Sequence, residues 1–149
     1  MYLNFSKESL KIIENEKGKH IFDPSRNKYV KFTPEEFVRQ SCIVHLNQVL
    51  KYPISRISTE SSTKYNVLLK RTDLIIYDSN LKPLILIECK SFRTNLTNNT
   101  IDQVLRYNYI VKAKYICMTN GHQFICAITD ETTGEISMID DLPTFDIAN

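Results

Sequence analysis

The chain has 149 residues, of which 42% are hydrophobic and 24% are charged, and its formal net charge is +2. This length is typical of one domain, and seven Phe and eight Tyr residues provide the apolar volume of a folded core, which excludes a disordered chain. The longest apolar run is far shorter than the roughly 20 residues of a membrane-spanning helix. We therefore expect a globular, cytoplasmic protein without a membrane segment or an export signal.

The charges are distributed unevenly along the chain. Residues 1–63 carry a net charge of +3 and residues 64–114 a net charge of +5, whereas residues 115–149 contain no Lys or Arg and carry −6. A basic middle and an acidic end are typical of a polyanion-binding face next to a solubilising segment, but also of an ordinary solvated surface. The charge pattern alone favours nucleic acid as a partner only weakly.

The cysteines and histidines do not form a metal-binding pattern. The four cysteines include no CxxC pair and no zinc-finger spacing, and no two of the three histidines are four residues apart. Most of the cysteines lie in apolar runs, where a free thiol behaves as a small hydrophobic group. We predict reduced thiols and no histidine-based metal site.

The first part of the chain predicts extended segments followed by a helix. Residues 1–32 are divided by turn-forming sequences at 17–19 and 23–25. Thr33 is suited to cap a helix, and Glu36 three residues later completes a capping box. Apolar residues then recur at helical spacing up to residues 51–53.

The remainder of the chain predicts strands around a second helix. The strands are predicted at residues 54–60, 66–77 (interrupted at 70–73), 84–90, 115–119, 123–129 and 136–139, and the helix at about 97–112. The segment 84–90 is apolar on both faces, which is typical of a central strand covered on each side.

A carboxylate and an ammonium group interrupt this central strand. Because alternate residues of a strand point to the same side, Glu88 and Lys90 project together and Cys89 points the other way. A hairpin turn near residues 80–81 joins this strand to the preceding one. A register centred on that turn places Asp73 opposite Glu88, and Tyr77 opposite Leu84.

Two adjacent carboxylates repel each other, and one of them takes up a proton unless a cation lies between them. Mg²⁺ is suited to such a site, because it binds one or two carboxylates and keeps waters for a phosphate substrate. Lys90 can stabilise charge on the phosphate or help to deprotonate an attacking water. The alternative is a buried salt-bridge cluster of Asp73, Glu88 and Lys90 that performs no chemistry.

The second helix contributes further candidates. Gln103 and Tyr107 share a helix face, and Arg106 is next to them. Gln103 can orient a water or a phosphate, or it can be a solvated surface residue. Arg71, two residues before Asp73, can bind a phosphate or pair with Asp73.

Together these motifs resemble the PD-(D/E)xK nuclease superfamily and, more narrowly, the N-terminal nuclease domain of type I restriction enzyme R subunits in a stand-alone form. The resemblance extends from about residue 20 to residue 128. The segments that carry it are residues 33–40, 70–78, 86–90, 103–108 and 119–121. The pattern departs from the motif at Thr72, where the superfamily name has Pro.

The resemblance implies an α/β fold with a restriction-endonuclease-like core, a mixed central β-sheet flanked by α-helices. It implies a single domain over residues 1–149, with an N-terminal extended segment at 1–32, a core at 33–128 and an acidic C-terminal segment at 129–149. At this length we expect no room for the helicase motor of full R subunits.

The resemblance also implies a function and a set of site residues. The function is Mg²⁺- or Mn²⁺-dependent DNA cleavage. Asp73 and Glu88 would be metal ligands with the backbone carbonyl of Cys89, and Lys90 would be the catalytic lysine. Gln103 and Tyr107 would match the QxxxY feature, a Gln and a Tyr four residues apart, that follows this strand in the family. Glu36 matches an acidic residue that completes the site, or it serves only in the capping box.

We expect DNA as the partner, and other restriction or motor subunits are possible further partners. The oligomeric state stays open, and a dimer is one possibility. The residues predicted to contact nucleic acid are Arg71, Arg93, Arg106 and Tyr107. Two other functions stay open: a nucleic-acid-binding or adaptor module that keeps the fold without cleaving, and an interaction domain in which the charged residues form a salt bridge.

Overall fold

The computed structural model describes residues 9–59 and 72–148, apart from the side chains of residues 98–100 and 147. The predicted extended segments near the N-terminus form an antiparallel sheet of three strands. These are β1 (Ile12–Asn15), β2 (Gly18–Asp23) and β3 (Lys28–Lys31). Gly18 has a φ of +99°, which a residue without a Cβ atom adopts freely, and it begins β2 directly after the first turn.

A six-stranded sheet forms the centre of the protein. In spatial order its strands are β4 (Ile57–Thr59), β5 (Leu74–Tyr77), β6 (Pro83–Cys89), β7 (Tyr115–Thr119), β8 (Phe124–Thr129) and β9 (Ile136–Ile139). Strands β6 and β7 are parallel and the other neighbouring pairs are antiparallel. The predicted α/β fold with a mixed central sheet flanked by helices is therefore confirmed.

Two long helices cover the two faces of this sheet. Helix α1 (Pro34–Gln48) packs with the core residues Leu74, Ile85 and Ile87 on one face. Helix α2 (Asn98–Val111) makes the crossover between β6 and β7 and packs with Ile75 and Leu86 on the other face. Within the described ranges, no helix is long and apolar enough to cross a membrane.

The boundaries of α1 follow the predicted signals. The Thr33 hydroxyl accepts a hydrogen bond from the Glu36 N–H at 3.0 Å, as an N-cap does. At the other end, Lys51 has a φ of +66° and the Tyr52 N–H donates to the Leu46 carbonyl at 2.9 Å. The left-handed conformation of Lys51 ends the helix and turns the Tyr52 N–H back to a carbonyl of the last turn.

The strand predicted at residues 54–60 begins later than expected. Residues Ile54–Arg56 form a single 3₁₀ turn, in which the Arg56 N–H donates to the Pro53 carbonyl at 2.9 Å. The pairing with β5 therefore begins at Ile57. Of the strand predicted at 66–77, the structure shows Leu74–Tyr77 as β5. Residues 60–71 lie outside the described residues.

The hairpin between β5 and β6 has the predicted register along most of its length. Leu74 is opposite Ile87 and Ile76 is opposite Ile85, as the register centred on residues 80–81 requires. The predicted pair of Tyr77 with Leu84 is wrong, because a bulge after Ile76 places Tyr77 opposite Pro83. The register that aligns Asp73 with Glu88 is thus preserved on the far side of the bulge.

The C-terminal part of the chain belongs to the same core. Strand β9 pairs with β8, so the sheet continues past the predicted core boundary at residue 128. A short helix, α3 (Phe145–Ala148), follows, and the Phe145 N–H donates to the Leu50 carbonyl at 2.9 Å. Leu142 is buried in the core beside α1. The acidic residues of this segment therefore lie on a packed part of the domain.

Candidate active site

The charged end of β6 is arranged as its alternation predicts. The Cys89 side chain lies in the core on the α1 face of the sheet. Glu88 and Lys90 point to the other side, and the Lys90 ammonium donates to Glu88 Oε1 at 2.6 Å. The Glu88 side chain is nearly buried, whereas that of Lys90 is 23% exposed. The pair is therefore open to solvent at its lysine.

Asp73 is held at the entrance to β5 by two donors. Its Oδ2 atom accepts from the Cys89 N–H at 2.7 Å, which ties it to the strand that carries Glu88. Its Oδ1 atom accepts from the Arg39 guanidinium at 2.6 Å. Asp73 is buried. The ion-pair partner of Asp73 is thus Arg39 of α1. The salt-bridge alternative had instead grouped Asp73 with Lys90 and Glu88.

Arg39 is a site residue that the sequence analysis missed. It is buried, and it also donates to the carboxylates of Glu36 and, at 3.2 Å, Glu35. Burial opposes its charge, but the charges of Asp73 and Glu36 raise the pKa of Arg39 above its usual value. A signal existed in the sequence, since Arg39 is three residues from Glu36 on the apolar side of α1.

Glu36 joins the helix cap only through its backbone, because its described side-chain bonds go to other residues and do not complete the predicted capping box. Its N–H donates to Thr33, while its carboxylate is buried and accepts from Gln40 Nε2 at 2.7 Å and from Arg26 at 3.1 Å. Gln40 and Arg26 also bind Asp23 at the end of β2, at 3.0 and 2.5 Å. A continuous polar network therefore connects the N-terminal sheet to α1 and to Asp73.

The environment of Glu88 disfavours its charged form. Burial and the neighbouring charge of Asp73 raise the pKa of Glu88 to about 7, against the opposing effect of the bond from Lys90. Near neutral pH this carboxyl is therefore partly protonated. A nearby cation would restore its charged form, because an opposite charge favours ionisation.

Lys90 responds to the same surroundings in the opposite way. Burial disfavours its charged form, but the bond to Glu88 and the charges of Glu88 and Asp73 outweigh that effect and raise the pKa of Lys90. Lys90 is therefore a stable cation at neutral pH.

The α2 candidates lie on the helix that covers the Glu88 side of the sheet. Gln103 Nε2 donates to the Tyr107 hydroxyl at 3.2 Å, and both residues are half-buried, while Arg106 is exposed. Among the hydrogen bonds between described side chains, none joins Gln103 to Glu88. The structure thus brings Gln103 and Tyr107 together with each other, but it does not bond them to the carboxylate pair.

The other predicted contacts of nucleic acid are placed differently. Arg93 is exposed, three residues after Lys90, with its guanidinium 5.6 Å from the centre of the Phe92 ring. Arg71 lies outside the described residues. Arg93 is thus a solvent-accessible cation that follows the charged end of β6 directly.

The turn after β7 supports the loop that follows Lys90. The Thr119 carbonyl accepts from the Lys90 N–H at 2.8 Å, and Asn120 Nδ2 donates to the Thr94 carbonyl at 2.9 Å. Gly121 has a φ of +89°, and a Cβ atom there would come within 3.4 Å of Val38. This tight turn therefore fixes the backbone on both sides of Arg93.

The donor set at this position fits a hard divalent cation with few protein ligands. Asp73 and Glu88 provide carboxylate oxygens, and burial and the charge of Asp73 raise the pKa of Glu88, an effect that a bound cation would oppose. The described part of the chain contains no group of three or more His, Cys, Asp or Glu side chains arranged to hold a metal. Backbone oxygen and water would complete the coordination, as is usual for Mg²⁺.

Comparisons with known proteins identify the family of the chain. The family described as type I restriction enzyme R protein N terminus matches residues 34–143, which include α1, the carboxylate pair and α2. No curated protein and no solved structure shows a significant match.

Proposed function

Because the chain belongs to the family of the type I restriction enzyme R protein N terminus, a restriction-enzyme-related nuclease domain, we propose that it is an endonuclease that hydrolyses DNA with the help of Mg²⁺ or Mn²⁺. The observation that carries this proposal is the pair Asp73 and Glu88 beside Lys90. The two carboxylates lie at the same end of the paired strands β5 and β6, and burial together with the charge of Asp73 raises the pKa of Glu88 to about 7.

The residues proposed to hold the cation are Asp73 and Glu88, with the backbone carbonyl of Cys89 as a third ligand. When bound, a divalent cation polarises the phosphate and lowers the pKa of its bound water. Arg39 is a positioning residue, since it holds Asp73 Oδ1 at 2.6 Å and leaves the opposite carboxylate oxygen to the Cys89 N–H.

The role of Lys90 is electrostatic. A general base must be neutral to accept a proton, and the raised pKa of Lys90 keeps it charged. Its ammonium is partly exposed, so it can approach the negative charge that develops on a phosphate during hydrolysis. Of the two roles open to this lysine, charge stabilisation is the one that the protonation state supports.

Supercoiled plasmid incubated with Mg²⁺ or Mn²⁺ tests this proposal. We expect nicking by the wild type and its loss in Lys90→Ala and Glu88→Gln. Lys82→Ala is the matched control, because Lys82 is an exposed lysine just before the opposite end of the same strand. Equal nicking by Lys90→Ala and Lys82→Ala would contradict the proposal.

A second function, a DNA-binding or adaptor module that does not cleave, is favoured by one observation. Asp73 and Lys90 each already have a charged partner, Arg39 and Glu88, so the described site is internally paired. DNA binding without nicking in either metal would support this function. Cleavage that depends on Lys90 would exclude it.

A further inference from the structure

The outer face of the N-terminal sheet combines exposed aromatic and basic side chains. The register pairs Ile13 with His20 and His20 with Lys31, and it pairs Phe22 with Tyr29. The Phe22 N–H donates to the Lys11 carbonyl, which places Lys11 next to Phe22. Directly paired residues point to the same side of a sheet. One face therefore carries Lys11, Phe22 and Tyr29 in one row, and Ile13, His20 and Lys31 in the next.

At β2 and β3, this face is the one turned away from the described core. Ile21 and Asp23, which alternate with Phe22 along β2, are fully buried, and Asp23 binds Gln40 of α1. By contrast, Tyr29 is 43% exposed. An aromatic ring that is left open in this way on a small sheet is available to a partner.

The chemistry of the face is that of a stacking platform. The rings of Phe22 and Tyr29 lie 5.3 Å apart between centroids, and the Lys11 ammonium is 5.4 Å from the Phe22 ring. No strand residue on this face is acidic, since Glu14 and Asp23 belong to the opposite face. Proteins that bind single-stranded nucleic acid combine aromatic rings, on which bases stack, with cations that follow the phosphates.

We propose that this face binds unpaired DNA. Duplex DNA hides the faces of its bases inside the stack, whereas a single strand offers both bases for the rings and phosphates for the lysines. The proposal rests on the proposed function only for its choice of DNA over RNA.

Hydrogen bonds connect this sheet to the candidate active site. The end of β2 is joined to α1 through Asp23 and Gln40, and α1 is joined to Asp73 through Arg39. A strand held on the platform is thereby attached to the helix that also positions Asp73. The platform lies before residue 34, outside the segment that matches the family.

The test is fluorescence anisotropy with a labelled single strand in EDTA, compared with the same strand annealed to its complement. The wild type should bind the single strand more tightly. The double variant Phe22→Leu/Tyr29→Leu keeps apolar volume and removes the ring faces, so its single-strand affinity should fall about tenfold or more. Circular dichroism checks that the variant is folded.

Two further variants make the result specific. Tyr109→Leu is the matched control, because Tyr109 is 85% exposed on α2 and should leave the affinity unchanged. Lys31→Gln should reduce the slope of log affinity against log salt by about 0.7, the value for one phosphate contact on a single strand.

Several outcomes would overturn the proposal. They are equal affinity of the wild type for single strand and duplex, an unchanged single-strand affinity in the folded double variant, and tighter binding of an RNA of the same sequence. The Glu88→Gln variant separates this proposal from the cleavage proposal. Retained single-strand binding in that variant supports the platform whether or not the wild type nicks plasmid.

Discussion

The two helices that flank the central sheet carry polar residues towards it in different ways. On α1, Arg39 and Gln40 are buried, and each binds carboxylates from other elements at 2.6–3.0 Å. On α2, Gln103 and Tyr107 are half-buried and bond to each other, while Arg106 is exposed. Helix α1 therefore organises the site before any ligand arrives, whereas α2 offers side chains that a ligand can still rearrange.

This difference predicts where substitutions affect stability and where they affect only function. A buried charge that loses its partner costs much more free energy than an exposed polar group that loses a weak bond. Variants on α1 should therefore act mainly on folding. Variants at the partly or fully exposed polar residues of α2, Gln103, Arg106 and Tyr107, should leave folding nearly unchanged.

The largest effect is expected from Arg39→Met. It leaves the buried carboxylates of Asp73 and Glu36 without their shared cation, which should lower the free energy of unfolding by about 3–5 kcal/mol. Urea denaturation at pH 7.5 measures it. Arg106→Met, at the exposed arginine of α2, should change stability by less than about 0.5 kcal/mol. Similar stabilities for the two variants would contradict the contrast between the helices.

Asp73→Asn should lower stability less than Arg39→Met, and it should also change the pKa of Glu88. Both oxygens of Asp73 accept hydrogen bonds, so an amide group must turn its NH₂ towards a donor, which should cost about 1–2 kcal/mol. The substitution also removes a negative charge beside Glu88, so the pKa of Glu88 should fall below about 7.

Carboxyl ¹³C NMR titration of Glu88 measures that change. Asp146→Asn provides the control, since Asp146 is exposed on α3 and should not move the pKa of Glu88. A Glu88 that still titrates near 7 in Asp73→Asn would show that the two carboxylates do not interact.

The pH dependence of stability should report on Glu88 directly. Its pKa is about 7 in the folded protein against 4.5 for the ordinary group, so the folded state binds the proton more tightly. The stability that this proton confers is present at low pH and is lost as pH rises through 7. Between pH 6 and 8 in EDTA, the wild type should lose about 1 kcal/mol relative to Glu88→Gln. Parallel urea-midpoint profiles for the two proteins would refute the raised pKa.

The smallest stability effect is expected from Gln103→Ala. This residue is half-buried and its described bond is to Tyr107 at 3.2 Å, so the free energy of unfolding should change by less than about 0.5 kcal/mol. Nicking activity should nevertheless fall if Gln103 orients a water or a phosphate, the functional one of its two sequence-based interpretations. A large loss of stability would place Gln103 with the buried residues of α1.

Much of the fold could be predicted because its signals are local. Strands β7 and β9 have the predicted bounds, since each is a short apolar segment that follows a turn or a helix end. The register of Leu74 with Ile87 followed from the length of the hairpin. The bulge after Ile76 did not, because it depends on the geometry of the turn at Asp78, whose N–H donates to the Lys82 carbonyl.

The site was predictable on the strands and at Glu36 of α1, but not at Arg39. Glu88 and Lys90 were conspicuous because charge is rare in an apolar central strand. The spacing of Arg39 from Glu36 was a signal on α1, but it could not indicate Asp73, which is 34 positions away in the sequence. Only the packing of α1 against the sheet brings these two side chains together.

The central claim is that Asp73 and Glu88 form a site for a divalent cation rather than a closed ion-pair cluster. The most direct measurement is the urea midpoint at pH 8 as Mg²⁺ is added, for the wild type and Glu88→Gln. A cation that binds only the folded state at ten times its dissociation constant stabilises by about 1.4 kcal/mol. We expect the urea midpoint to rise with Mg²⁺ in the wild type and to stay constant in Glu88→Gln. A flat profile in the wild type, or the same rise in both proteins, would contradict it.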